Sequence, residues 1–345
     1  MKRIITYAEA IREATGQEMA RDASVILMGL GVDDMRGLLG TTKGLVKKFG
    51  PKRVFDTPLS EDGMTGVAIG AALSGLRPIH THVRMDFLTI AMNQLINVAA
   101  KARYMYGGAV SVPLVVRTLI GDGWGAQHSQ GLHSFFMHVP GLKVVAPSNP
   151  YDAKGCLIQS IRDNNPVIFV EHFKLYEQTG YVPKKPYAVS LGKARVVKSG
   201  KNITLVGVSY MATECLRAAD YLKSAGVSAE VIDPITLSPL DINTIVRSVR
   251  KTGRLLVADT AWTACGSAAE IVAGVVERLG KKNVEVMRVG FAPVPAPTTK
   301  PLEDLFYPTA ESIAGKAYQL VRKKKKSFVF RKRKNGGMGE TEERV

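Results

Sequence analysis

Val112-Pro-Leu-Val-Val-Arg-Thr-Leu-Ile120 runs toward Gly123-Trp-Gly-Ala-Gln-His-Ser-Gln-Gly131, and a second apolar run, Lys143-Val-Val-Ala-Pro-Ser148, lies a short helix downstream. Neither run alternates in polarity, so each is expected to be a strand covered on both faces, as in a parallel sheet. The loop between them then stands at the carboxyl end of a strand, where open α/β sheets bind ligands. His128, set among amides and a hydroxyl in a loop loosened by glycine, can carry a proton near neutral pH. A surface histidine in a turn is the plain alternative.

The same rhythm extends in both directions. Tyr7–Arg21 reads as an amphipathic helix, Val25–Gly29 as a short buried strand, and Val54-Phe-Asp-Thr-Pro58 as another, followed by the N-cap candidate Ser60. Residues 61–76 read as a helix. Its glycines (63, 66, 70 and 75) weaken a helix, which implies close packing against another backbone. Strands at 78–83 and 166–171 and helices at 87–104 and 151–162 complete the alternation. Residues 173–189, polar with Pro183-Lys-Lys-Pro186, break it and read as a linker. Beyond them, strands at 203–208, 229–233, 254–259 and 284–289 alternate again with helices. The expected fold is therefore α/β in two domains, each a mostly parallel sheet flanked by helices. The expected boundaries are 1–172, a linker at 173–190, 191–321, and a tail at 322–345.

The chain of 345 residues is long enough for two such cores. Cys156, Cys215 and Cys265 are scattered, with no metal-ligand spacing, which suits a reducing cytoplasmic compartment. No apolar run reaches the roughly 20 residues of a membrane span, and the chain enters a helical pattern at once, with no targeting segment in view. The net charge is +17; residues 322–345 hold ten Lys/Arg against three Asp/Glu, or +7, leaving +10 for the rest. That tail is expected to be unstructured, a solvated extension able to hold an anionic surface by bulk electrostatics. No nucleic-acid module accompanies it, so nucleic acid is not expected as a partner.

Several residues are candidates for chemistry. Glu61 and Asp62 open a helix, where carboxylates favour the positive end; in a dry crevice Glu61 can instead accept a hydrogen bond from a protonated heterocycle. His80 and His82 share a strand face, without a visible third metal ligand. Asp163-Asn-Asn-Pro166 is a turn whose carbonyls, facing inward, can hold a monovalent cation.

Phe55-Asp-Thr-Pro-Leu-Ser-Glu-Asp-Gly63, Gly66-Val-Ala-Ile-Gly-Ala-Ala-Leu-Ser-Gly-Leu-Arg-Pro78, Ala126-Gln-His-Ser-Gln130, Pro140-Gly-Leu-Lys-Val-Val-Ala-Pro147, Ile161-Arg-Asp-Asn-Asn-Pro166 and Thr236-Leu-Ser-Pro-Leu-Asp241 together resemble the beta subunit of 2-oxo acid dehydrogenases of the pyruvate, branched-chain and acetoin type, in the transketolase superfamily. The resemblance covers residues 3–321. It implies a pyrimidine-binding domain followed by a transketolase C-terminal domain. It also implies a thiamine-diphosphate enzyme in which a partner alpha subunit holds the diphosphate and Mg²⁺, in an α₂β₂ heterotetramer, with a lipoyl acyltransferase as a further partner. The reaction implied is decarboxylation of a small 2-oxo acid and transfer of the acyl or aldehyde unit. By position, Glu61 matches the glutamate that bonds the aminopyrimidine, Phe87 the aromatic on its face, and His128 the histidine of proton transfer. Leu114, Ser160, Ile161, Asp163 and Asn165 match a potassium site built largely of backbone carbonyls. Gly121-Asp-Gly123 followed by Asn149 imitates the family's magnesium motif, but a whole strand intervenes, so the match is read as accidental. Three departures stand out: Leu30 where a carboxylate is usual, Arg84 ahead of Phe87, and a shortened loop before His128. They suit a more anionic substrate or a different acyl acceptor. Two other functions fit the same residues: transketolase-like two-carbon transfer to a sugar without a lipoyl partner, and a non-catalytic assembly role.

Overall fold

The computed structural model describes residues 3–280, 282, 284–322, 329–333 and 340–344. The chain forms two compact units. The first comprises Met1–Gly192 with Ile235–Pro239 and Ala296–Thr298. Its strands are β1 (Ile4–Thr6), β2 (Val25–Gly29), β3 (Val54–Phe55), β4 (Arg77–His82), β5 (Val115–Ile120), β6 (Lys143–Val145), β7 (Val167–His172) and β8 (Thr179–Tyr181). One sheet of seven strands runs β12-β6-β7-β5-β4-β2-β3, where β12 is Thr236–Ser238. All its pairings are parallel except that of the edge strand β12.

The first unit's helices follow from local sequence. Helix α1 (Tyr7–Arg21) begins at a capping box, in which Thr6 and Glu9 satisfy each other's backbone N–H groups. It buries Tyr7, Ala10, Ile11 and Ala14. Helices α2 (Leu45–Phe49), α3 (Glu61–Leu73), α4 (Met85–Leu88), α5 (Ala100–Met105), α6 (His133–Met137) and α7 (Pro150–Arg162) follow. In β2, Leu27 and Met28 are almost wholly buried, each contributing about 1.5–3 kcal/mol by removal from water. The single helix expected over 87–104 is instead segmented: α4, a 3₁₀ turn at Thr89–Ala91, a π-helical stretch at Gln94–Ala99, then α5. The π stretch packs beside α3, where a Cβ on Gly66 would meet the Gln94 carboxamide at 3.4 Å.

Residues 173–190, expected as a linker, belong to the first unit. Strand β8 pairs with β1, Leu175 and Val182 are buried, and the carbonyls of Pro183, Lys184 and Lys185 receive the buried ammonium of Lys154. Polarity misled the sequence reading because the polar backbone of this segment serves a buried cation from α7.

The second unit comprises Lys193–Pro234, Leu240–Pro295 and Thr299–Val345. Strands β9 (Arg195–Lys198), β10 (Ile203–Gly207), β11 (Ala229–Asp233), β13 (Arg254–Trp262) and β14 (Glu285–Phe291) form a sheet in the order β14-β13-β10-β11-β9, antiparallel only at β9. Its helices are α8 (Tyr210–Ser224), α9 (Ile242–Thr252), α10 (Ser267–Leu279), α11 (Lys300–Phe306) and α12 (Ala310–Arg322); α8 and α12 share one core with the sheet through Cys215, Ala218, Leu222, Ile313 and Ala317. In the tail, β15 (Val329–Arg333) pairs antiparallel with β16 (Glu340–Arg344), contrary to the expected lack of structure. Tail residues 323–328, 334–339 and 345 lie outside the described residues.

Candidate active site

The carboxyl ends of β2, β3, β4, β5 and β7 lie along one edge of the first sheet, and the loops leaving them carry the expected site residues. Strand β3 leads through Asp56–Ser60 to α3, whose first turn holds Glu61 and Asp62. The two carboxylates differ. Asp62 Oδ2 accepts from Gln94 Nε2 at 3.3 Å. Glu61 is half-buried, with no hydrogen bond or ion pair to its carboxylate among the described residues. Of the pair, Glu61 is the one left for a ligand.

Strand β4 leads to Arg84, Asp86 and Phe87, and β5 to the histidine loop. Phe87 meets the His128 ring edge-on, with centroids 5.3 Å apart and planes at 88°. Asp86 fastens the two loops together: its Oδ1 accepts from Gln130 N at 3.2 Å and from Gln130 Nε2 at 2.9 Å. Burial pushes the Asp86 carboxyl above its ordinary value, against the lowering effect of those bonds. Within the loop, Trp124 N donates to Ser129 Oγ and His128 N to Gly125 O. The His128 ring nitrogens have no hydrogen bond among the described residues. Gly121 is required by close approach: a Cβ there would lie 1.9 Å from His128 O and 2.4 Å from the Trp124 ring.

That packing also accounts for the Gly-Asp-Gly motif. Asp122 pairs with Lys174 at 2.9 Å, and Asn149 caps α7, accepting from Asp152 N and donating to Asp152 Oδ2. Both side chains are committed to the fold, and no group of three or more His, Cys, Asp or Glu suited to a metal occurs among the described residues. His80 and His82 meet edge-on with ring centroids 4.4 Å apart, both buried, with His82 Nε2 against Thr65 Oγ1 at 3.2 Å. Burial lowers the His80 pKa to about 4; burial, then His80, lowers that of His82 well below its ordinary value. They are neutral packing groups beneath α3, the helix that carries Glu61.

At the opposite end of the sheet, two of the residues expected around potassium, Ile161 and Asp163, meet Arg77. Its Nη1 donates to the carbonyls of Ile161 and Asp163, both at 3.0 Å. Leu114 O accepts from Val167 N, Ser160 O from Asp163 N, and the Asp163 carboxylate pairs with Lys143. Asn165 N and Nδ2 both donate to Asp163 Oδ1.

Sequence reasoning missed the support under this edge. Arg117, fully buried in β5, forms a two-pronged pair with Glu171 of β7 at 2.6 and 2.9 Å, and Tyr176 OH adds a third bond to that carboxylate. Burial lowers the Arg117 pKa and Glu171 raises it; the carboxylate prevails. The available signal was a charge inside an apolar strand, which requires a buried partner.

Two family models match the chain in succession, the pyrimidine-binding domain of transketolase over residues 3–178 and the transketolase C-terminal domain over 192–313. The chain is a member of the transketolase family. Among curated relatives of this family member, the acetoin:2,6-dichlorophenolindophenol oxidoreductase subunit beta of Cupriavidus necator is 45% identical over 93% of this chain and 99% of its own length. The namesake subunit of Bacillus subtilis is 42% identical over 93% and 98%. The pyruvate dehydrogenase E1 component subunit beta of Porphyra purpurea is 43% identical over 86% and 90%. A solved split-gene transketolase, described as an inactive beta4 tetramer, superposes with a TM-score of 0.75 at 21% identity, covering 92% of this chain and 98% of its own, which speaks for the fold. No helix among the described residues of this transketolase-family chain is long and apolar enough to cross a membrane.

Proposed function

We propose that this chain is the beta subunit of a two-chain thiamine-diphosphate enzyme that decarboxylates a 2-oxo acid and passes the acyl or aldehyde unit to an acceptor such as a lipoyl group. The observation that carries the reading is the unpartnered Glu61 carboxylate at the same sheet edge as the Phe87–His128 pair. Such a group fits a protonated heterocycle, because a carboxyl oxygen with no protein donor is free to accept from one. When bound, thiamine diphosphate supplies the carbon nucleophile and the electron sink for loss of CO₂. Glu61 holds the proton at the pyrimidine nitrogen, Phe87 packs on the ring, and His128 moves protons during acyl transfer. Asp86 keeps the histidine loop in place through Gln130.

The commitment of Asp122 and Asn149 to the fold supports assigning Mg²⁺ and the diphosphate to an alpha subunit, in an α₂β₂ assembly. Three cysteines without disulfides, two of them buried, fit a cytoplasmic setting. A potassium ion is proposed on the carbonyls of Leu114, Ser160, Ile161, Asp163 and Asn165. A carbonyl that has accepted one hydrogen bond keeps a second lone pair, so the ion shares the Ile161 and Asp163 oxygens with Arg77 and those of Leu114 and Ser160 with backbone N–H groups. Thermal unfolding of the complex in KCl and in choline chloride tests this: a higher midpoint in KCl is expected, and equal midpoints overturn it.

Reconstitution tests the main reading. The chain is co-expressed with a candidate alpha subunit, and dye reduction is followed with 2-oxo acids, with and without thiamine diphosphate and Mg²⁺. Turnover is expected only with both chains and the cofactor. Turnover with aldose acceptors but none with lipoamide would move the assignment to two-carbon transfer, and full activity of the alpha subunit alone would move it to an assembly role.

A further inference from the structure

We infer that Arg84 receives a second, distal anionic group on the substrate, a carboxylate or a phosphate; this rests on reading the site as that of a 2-oxo acid decarboxylase. The guanidinium lies 4.0 Å over the Trp124 ring, which itself packs at 4.5 Å on Phe173. An aromatic shelf holds a flat cation well while leaving its edge donors to other partners. Here those donors are underused. Nη1 donates to Val83 O at 2.8 Å, and Nε is buried without a partner. Among the described residues Arg84 has no ion pair; Asp86, two residues on, favours its charge electrostatically without bonding it, giving one oxygen to Gln130 and leaving the other unbonded. A half-buried cation with spare donors is costly unless an anion meets it, and a guanidinium presents a planar fork that fits carboxylate or phosphate.

Position ties these spare donors to the substrate. Arg84 is three residues before Phe87, and the Asp86–Gln130 bonds hold its segment against the loop of His128. The scissile carboxylate is a poor match. Its charge disappears as CO₂ departs, so a cation fixed on it stabilises the reactant more than the transition state and slows the step. A group that keeps its charge throughout does not have this defect. Leu30, half-buried at the end of β2, adds no opposing negative charge at the same sheet edge. The substrate class is therefore a 2-oxo acid carrying a further anion beyond the keto group.

The test uses the complex reconstituted with its alpha subunit and thiamine diphosphate. Three probes are compared: 2-oxoglutarate (distal carboxylate), 3-phosphohydroxypyruvate (distal phosphate) and 2-oxopentanoate (neutral tail). At least one anionic probe is expected to exceed 2-oxopentanoate in kcat/KM, and whichever does identifies the anion. Arg84→Gln is expected to reduce that preference about 10–100-fold, mainly through KM, with Arg84→Lys between the two. A readout free of turnover accompanies it. Glutarate and inorganic phosphate are titrated against the fluorescence of the complex in a Trp262→Phe background, and a saturable change abolished by Arg84→Gln is expected. Preference for 2-oxopentanoate, or an equal loss on all three probes, overturns the inference. So does loss of alpha-chain association in Arg84→Gln by sedimentation, since the guanidinium then serves a carboxylate of that subunit. If no probe, pyruvate included, is turned over in a cofactor-dependent way, the reading of the whole site fails instead.

Discussion

Replacing Glu61 separates what the carboxylate does for the fold from what it does for the chemistry. In the folded chain Glu61 makes no hydrogen bond or ion pair among the described residues, and it sits in the first turn of α3. Its contribution to stability is therefore the favourable placement of a negative charge at a helix N-terminus, about 0.3–1 kcal/mol. In a domain of this size that corresponds to a lowering of Tm by roughly 1–4 °C. The catalytic contribution is of another scale. A positioned proton-handling group is worth about 10²–10⁴ in rate, or roughly 3–5.5 kcal/mol of transition-state stabilisation. Glu61→Gln keeps an acceptor oxygen but no charge, and Glu61→Ala keeps neither, so both should lose at least about a hundredfold in kcat, with alanine the worse. The assay is dye reduction by the reconstituted complex, run beside thermal unfolding by circular dichroism and calorimetric titration of thiamine diphosphate. A loss of activity below tenfold, with assembly intact, would refute the assignment. A Tm drop well beyond 4 °C would refute the reasoning differently, by revealing a structural partner for the carboxylate.

Three other outcomes follow from the architecture. Glu171→Gln leaves Arg117 buried with its charge unpaired and should destabilise the chain by about 3–5 kcal/mol in urea unfolding, whereas the double change Arg117→Met, Glu171→Leu should recover most of it; equal losses would show that the unpaired charge is not the cause. Gly121→Ala should displace the His128 carbonyl and lower kcat about a hundredfold, since errors near 1 Å carry such effects, and a crystal structure of the variant with an unmoved loop would count against this. His80, with a pKa lowered to about 4 in the folded state against 6.5 when exposed, makes stability pH-dependent. Between pH 6.5 and 4 the unfolded chain takes up a proton the folded chain refuses, so stability falls as pH falls, reaching about 3 kcal/mol at the lower end. In His80→Val that slope should shrink in denaturant titrations across this range, and an unchanged slope would place the neutral histidine elsewhere.

The parallel sheets were legible because runs such as 25–29 and 115–120 are apolar on both faces, and that pattern has few other homes. Glu61 and Phe87 were singled out by the resemblance to the family and His128 first by its loop; that all three stand at one edge follows because strand ends in a parallel α/β sheet deliver their loops to the same side. The segmented helix after Phe87 was not legible, since nothing in its composition distinguishes a π stretch from a regular turn. The polar segment 173–190 was misjudged because a sequence does not reveal that Lys154 lies buried and needs carbonyls around it.

Local periodicity and spacing in this chain determine which elements form and which loops reach the candidate site, because those depend on side chains close together along the backbone. Which of two neighbouring carboxylates bonds Gln94, that Asp122 pairs with Lys174 and Asn149 with Asp152, and that Arg84 lies over Trp124 were decided only by tertiary structure. Each depends on which partner the fold brings to a donor or acceptor, and burial makes polar groups take such partners.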